Sequence, residues 1–117
     1  MPKNNASDVL LNAVIATGAS DAHIMNGPKA TFQAIGETSA GSGSATIKIE
    51  VSNEAVPATD TSGDDYADWI EAGTITLTLS TTKATDGFTI DAPWRWVRAN
   101  LTAISGTDAT VSVRKGS

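Results

Sequence analysis

Three stretches of this chain alternate apolar and polar residues without a fault. In Ala45–Ser52, the residues Ala45, Ile47, Ile49 and Val51 fall on one side, with Thr46, Lys48, Glu50 and Ser52 on the other. Gly73–Ser80 repeats the pattern with Ile75, Leu77 and Leu79 set against Thr74, Thr76, Thr78 and Ser80. Asp108–Arg114 repeats it with Ala109, Val111 and Val113. Successive side chains of a strand point to opposite faces, so each run predicts a strand with one buried face. β-Branched residues, which pack well on a pleated surface, dominate all three. No segment sustains an apolar repeat at helical spacing.

Less regular strands are expected at Val9–Ala16, Ala22–Met25, Ala30–Ile35, Gly87–Asp91 and Trp94–Ile104. Turn formers separate them: Asn26-Gly27-Pro28, the Gly/Ser-rich run Gly36–Ser44, the polar stretch Pro57–Asp65, and the pairs Asp86-Gly87 and Ser105-Gly106. Asp64–Glu71 is the one stretch with room for a helical turn. The expected fold is therefore all-β: a single-domain β-sandwich or jelly roll of about eight short antiparallel strands. Residues 1–8 are polar and have little to bury, so they are expected to form a flexible N-terminal arm on a domain spanning residues 9–117. A weak internal repeat links Ala30–Ile35 to Ala99–Ile104 and Ala45–Ile49 to Ala109–Val113. It reads as one hairpin design used twice, which suits a fold containing two Greek keys.

Composition narrows the function. At 117 residues the chain can bury a core without disulfides, and with no cysteine it has neither disulfides nor thiolate metal ligands. The net charge of −5 disfavours a nucleic-acid partner, which needs a basic footprint. The longest apolar run, Val9–Ala16, is broken by Asn12 and falls far short of the roughly 20 residues of a membrane span. With only Lys3 basic ahead of it, that run does not read as a secretory signal.

Candidate chemistry is sparse. His23 is the sole histidine and has no cysteine to share a zinc ion with, so it reads as structural. No serine lies in a Gly-x-Ser-x-Gly elbow, and Gly36–Ser44 lacks the lysine and following helix of a phosphate loop. Asp60, Asp64, Asp65, Asp68 and Glu71 cluster, but not at the alternate spacing of a calcium loop, so they read as a solvated acidic stretch. Neither an enzyme nor a cofactor or metal protein is expected.

Asp91-Ala92-Pro93-Trp94-Arg95-Trp96-Val97-Arg98 holds two of the three tryptophans. In a strand from Trp94 onward, Val97, Ala99, Leu101 and Ala103 share one face, and Trp94, Trp96, Arg98 and Asn100 share the other. The small apolar set suits the core, which leaves a Trp/Arg face for a partner. Trp and Arg are the residues enriched at interface hot spots, and the two stack favourably. The competing structural reading is a bulge after Pro93 that turns one tryptophan inward. Trp69 is expected to cap the core.

The order of these segments resembles a known group of proteins. It comprises a strand with Phe32, a Gly/Ser-rich run, Ala45-Thr46-Ile47-Lys48-Ile49-Glu50-Val51-Ser52-Asn53, and an Asp-rich stretch leading to Trp69 and Gly73-Thr74-Ile75-Thr76-Leu77. Asp91–Ala99 and a closing Gly106–Val113 hairpin follow. Over roughly residues 30 to 116 it looks like the head decoration, or cement, proteins of short-tailed bacteriophages, with the Pro-Trp-Arg-Trp-Val-Arg segment as the most specific piece. The resemblance implies a jelly-roll virion protein made in the host bacterial cytoplasm. Such a protein sits on the outer surface of the capsid and clamps neighbouring major capsid subunits against internal DNA pressure. The implied partners are the major capsid protein and the chain itself, as a homodimer or, second, a homotrimer. Trp94, Trp96 and Arg98, with Lys3 of the arm and Leu10 and Leu11 just after it, are the expected partner-binding residues. The alternatives are a carbohydrate- or receptor-binding module of a phage tail or baseplate, and a head–tail connector.

Overall fold

The alternating runs are strands, and they bury the faces their apolar residues define. The computed structural model describes residues 7–25, 28–53 and 69–116, with side chains from residue 9. Nine strands run through them: β1 (Ser7–Val14), β2 (Gly18–Ala19), β3 (His23–Ile24), β4 (Ala30–Glu37), β5 (Ala40–Ser52), β6 (Ile70–Leu79), β7 (Ala84–Ile90), β8 (Trp96–Thr107) and β9 (Thr110–Gly116). Ala45, Ile47, Ile49 and Val51 of β5 are fully buried, as are Ile75, Leu77 and Leu79 of β6 and Val111 and Val113 of β9. Lys115, at the same parity as Val111 and Val113, is also buried, and the register sets it opposite Asp8 of β1 and Phe32 of β4.

The strands form two antiparallel sheets, β1-β9-β4-β7 and β2-β8-β5-β6, with β3 also paired to β8. Ladder β5·β6 is the innermost rung of one long hairpin whose further rungs are β4·β7, β2 and β3 with β8, and β1·β9. Rolling that hairpin sets β9 beside β4 and β8 beside β5, which closes the jelly roll. β4–β5, β6–β7 and β8–β9 pass from one sheet to the other at one end, where Thr38 N–H bonds Ser80 C=O at 2.8 Å and Ser39 N–H bonds Thr107 C=O at 3.0 Å. β3, β5 and β7 end, and β4, β6 and β8 begin, at the other end.

Several expected loops are strand instead. Gly36–Ser44 is not a hairpin tip: β4 runs through Glu37, β5 starts at Ala40, and the chain changes sheet between them. Its glycines serve close approach. A Cβ on Gly43 would sit 2.0 Å from the Ser105 carbonyl oxygen. Ser105-Gly106 and Asp86-Gly87 likewise lie inside β8 and β7. The two copies of the internal repeat are both sheet-to-sheet corners rather than hairpins. They pack on one another, β4 on β9 and β5 on β8, so exchanging the copies exchanges the sheets. Glu71 is in strand β6, and residues 64–68 of the expected helical turn lie outside the described residues.

Candidate functional site

All three tryptophans of the chain gather at the end of the second sheet where β5 stops and β6 and β8 start. Val97, Ala99 and Leu101 of β8 are fully buried, so Trp96, Arg98 and Asn100 face outward. Register sets Trp96 opposite Ser52 and Ile24, Arg98 opposite Glu50, and Asn100 opposite Lys48. The expected alternation fails one residue past Leu101. Leu101 pairs with Ile47 but Ala103 pairs with Thr46, so Thr102 is an inserted residue. Ala103 is consequently exposed, and Ile104 packs toward the core in its place.

Arg98 organises the face. Its Nε lies 2.6 Å from Glu50 Oε1, and its guanidinium carbon lies 4.5 Å from the centroid of the Trp69 ring. Trp69 therefore does not cap the core. It starts beside β6, two strand spacings or roughly 10 Å from β8, so its contact with Arg98 must bridge over β5. Ser52, an outward position of β5 in that region, is only 3% exposed. Asn100 Nδ2 donates to the other Glu50 oxygen at 3.5 Å. Across the ladder from Glu50 stands Glu71, a second carboxylate. Glu71 accepts the Thr74 hydroxyl and pairs with Lys48 at 3.5 Å. The Thr74 hydrogen bond first, and then the Lys48 charge, hold the Glu71 carboxyl below the usual glutamate range.

Backbone bonds hold this end in place. Arg95 N–H donates to Asn53 Oδ1 at 2.8 Å, and Arg95 C=O accepts the Met25 N–H at 3.1 Å. Arg95, the last residue before β8, is thereby tied to both neighbouring segments. Trp94, just before it, turns inward and packs against the core, whereas Trp96 stays on the outer face, so the two do not share a face as the strand reading expected. Across the β3·β8 ladder from Trp96 stands one large apolar side chain in water, Ile24 (58% exposed), whereas Ile70 (54% exposed) is paired with buried Val51 and points to the other side of the sheet. Scattered exposed apolar residues are ordinary, but Ile24 adjoins the face that carries the aromatic–guanidinium stack.

The sequence-derived candidates divide. Trp96 and Arg98 share one face. Trp94 belongs half to the core. Leu10 and Leu11 are buried in the chain's own core, because Ser7–Val14 forms edge strand β1. Lys3 lies outside the described residues, as do Asp60, Asp64, Asp65 and Asp68. Of the expected arm, Ser7 and Asp8 already pair with Gly116 and Lys115. Sequence reasoning missed Glu50, Trp69 and Ile24 as members of the face. The period-two pattern did put Glu50 outward, but nothing local to the sequence places β5 next to β8. His23 pairs with Val97 at the sheet edge and is half-buried. Among the described residues no group of three or more His, Cys, Asp or Glu side chains could hold a metal ion. Among the described residues no helix is long and apolar enough to cross a membrane.

The polar groups of the face satisfy one another: Arg98 and Asn100 share Glu50, and Lys48 and Thr74 share Glu71.

No protein-family model matches the chain, and no curated protein matches it. Among solved structures, one described as "CBM4 structure and function" aligns at a TM-score of 0.46 and 15% identity, over 84% of this chain and 54% of that one. This chain thus spans about half of that protein's length, and a likeness of that strength carries no argument about ligand or role.

Proposed function

We propose that this protein is a structural virion component that binds the outside of a mature phage capsid and clamps neighbouring major capsid subunits. Two things support the reading: the resemblance of residues 30 to 116 to head decoration proteins, and the preordered Trp69–Arg98–Trp96 face with Ile24 beside it. The second observation carries the structural side, because aromatic and arginine anchors flanked by apolar residues make protein-binding hot spots. The work needs no reaction. A ligand that binds only the expanded shell stabilises that shell by mass action. Gripping through more than one copy multiplies weak contacts, so the partners are the major capsid protein and a second copy of the chain, with a homotrimer as the lesser arrangement. The net charge of −5 suits the solvent side of a shell packed with DNA.

A second reading has one observation in its favour. The Arg98 guanidinium that lies over Trp69 also pairs with Glu50, which accepts the Asn100 amide, and aromatic rings on a face with such polar groups also suit sugar stacking by a tail or baseplate module.

Immunogold electron microscopy of the parent virions, with antibody to the recombinant protein, separates the two. Gold over the whole head is the expected result. Gold confined to the tail would replace the capsid reading with receptor binding, and virions free of gold would overturn both.

A further inference from the structure

A sheet edge left open is a template for another strand, and proteins guard their edges. Among the described residues four edges bound the two sheets, and three are guarded. β2 and β3 are two residues each. β1 is broken by register shifts at Val9/Leu11 and Leu11/Val14. β7 carries a charge at its centre, Asp86, whose carboxylate takes the N–H of Gly87 at 2.8 Å. β6 is different. From Gly73 to Leu79 it has no proline and no charged residue, and its register shift, at Ile49/Glu50, lies before that stretch. Among the described residues β6 pairs only with β5, so its other edge presents backbone N–H and C=O groups without a ladder partner there.

We propose that a second copy of this chain occupies that edge, β6 against β6, antiparallel about a two-fold axis near Thr76. The second sheets of the two copies then form one continuous sheet. With Thr76 on the axis, Thr76 faces the partner's Thr76, Thr74 faces the partner's Thr78, and Ile75 faces the partner's Leu77. Thr–Thr pairs and apolar pairs both favour cross-strand contact. Charge selects the place of contact and the direction. Each chain carries −5 and repels a copy of itself, and Gly73–Leu79 is a stretch where neutral meets neutral. The strand's one charged residue, Glu71, lies near its start. Antiparallel pairing sends the two Glu71 carboxylates to opposite ends, roughly 30 Å apart, which is several screening lengths. Parallel pairing would set them side by side.

The inference rests on the self-association within the proposed function and not on capsid binding, and its test uses no capsid. Sedimentation equilibrium of the wild-type chain should give a dimer, and the double variant Thr76→Lys/Thr78→Lys should give a monomer. Both positions are exposed on the outer face, so far-UV circular dichroism and the thermal melt should match wild type. Amide exchange of the wild type supplies a readout free of mutation: alternate N–H groups of Gly73–Leu79 that do not bond β5 should be protected, and should lose protection on dilution to monomer. A monomeric wild type, a trimer, or a double variant that stays dimeric overturns the inference. A β6-paired dimer that never labels a phage head leaves it standing and removes the capsid reading instead.

Discussion

Arg98 and Glu50 face each other across the β8·β5 ladder and join through a 2.6 Å Nε–Oε1 contact, with side chains 18% and 14% exposed. That is an ion pair largely withdrawn from water, and the same guanidinium lies over Trp69. Removing one partner strands the other charge in a half-dry site, which costs more than losing a surface pair. Arg98→Met and Glu50→Gln are each expected to lower unfolding free energy by about 1–3 kcal/mol. A double-mutant cycle by urea denaturation should return a coupling of about 1 kcal/mol. A coupling near zero would mean the pair does not hold in solution.

The two tryptophans around Arg95 should separate folding from binding. Trp94 packs against the core and Trp96 lies on the outer face. Trp94→Ala is expected to cost about 2–4 kcal/mol, on the scale of aromatic truncations in cores, and Trp96→Ala about 1 kcal/mol or less. On expanded capsids, cosedimentation should weaken strongly for folded Trp96→Ala. Equal losses of stability would place both rings in the core.

Phe88 of β7 crosses from the first sheet to the second and fills the space over Gly73, where a Cβ would stand 2.3 Å from its Cζ. Gly73→Ala should therefore destabilise by about 1–3 kcal/mol, as overpacking does. Adding Phe88→Leu should recover part of that loss, which chemical denaturation of the three variants would check. Gly87→Ala, whose new Cβ meets only the Phe32 carbonyl at 3.3 Å, should cost less.

Ala13 sits at φ 51° beside the second register shift of β1, a left-handed conformation that costs an L-residue energy and glycine little. Its N–H bonds Ser112 Oγ at 2.8 Å, which holds the distortion in place. Ala13→Gly is expected to be neutral or stabilising by up to about 1 kcal/mol despite glycine's floppier unfolded state. A lower melting temperature would show that the bulge relaxes in solution.

Glu71 is a small acid-sensitive support. Its carboxyl is held below the ordinary value by the Thr74 hydroxyl and Lys48, so it stabilises the fold above the ordinary glutamate pKa. That contribution is lost as pH falls from there through the lowered folded value. Carboxyl titration by NMR should find Glu71 below typical glutamates, and Thr74→Val should move it back up. A Glu71 that titrates normally in the wild type would mean the hydroxyl does not donate to it in water.

Deleting the N-terminal residues is a matter of where the fold begins. The expected boundary was after residue 8, but Ser7 and Asp8 already pair with β9. A truncation that reaches Ser7 and Asp8 therefore removes paired residues of β1, and a lower thermal melt than that of the full chain is expected.

The sequence by itself determined which residues face inward. Period two over Ala45–Ser52, Gly73–Ser80 and Asp108–Arg114 needs only the pleat of a strand, and each apolar series is buried. It also placed Trp96 and Arg98 outward, since Val97, Ala99 and Leu101 could satisfy only one face. Tertiary structure decided everything that depends on which strands lie side by side. Glu50 and Arg98 are 48 residues apart in the chain, and β5 meets β8 only because the long hairpin rolls. The same rolling turned the Gly/Ser run into strand, since Gly43 is small to admit the Ser105 backbone rather than to bend its own. It also let Trp69 find Arg98 instead of the core. Short-range pattern specifies a strand's faces because neighbouring residues alternate, whereas a site assembled across three strands exists only once long-range pairing has brought them together.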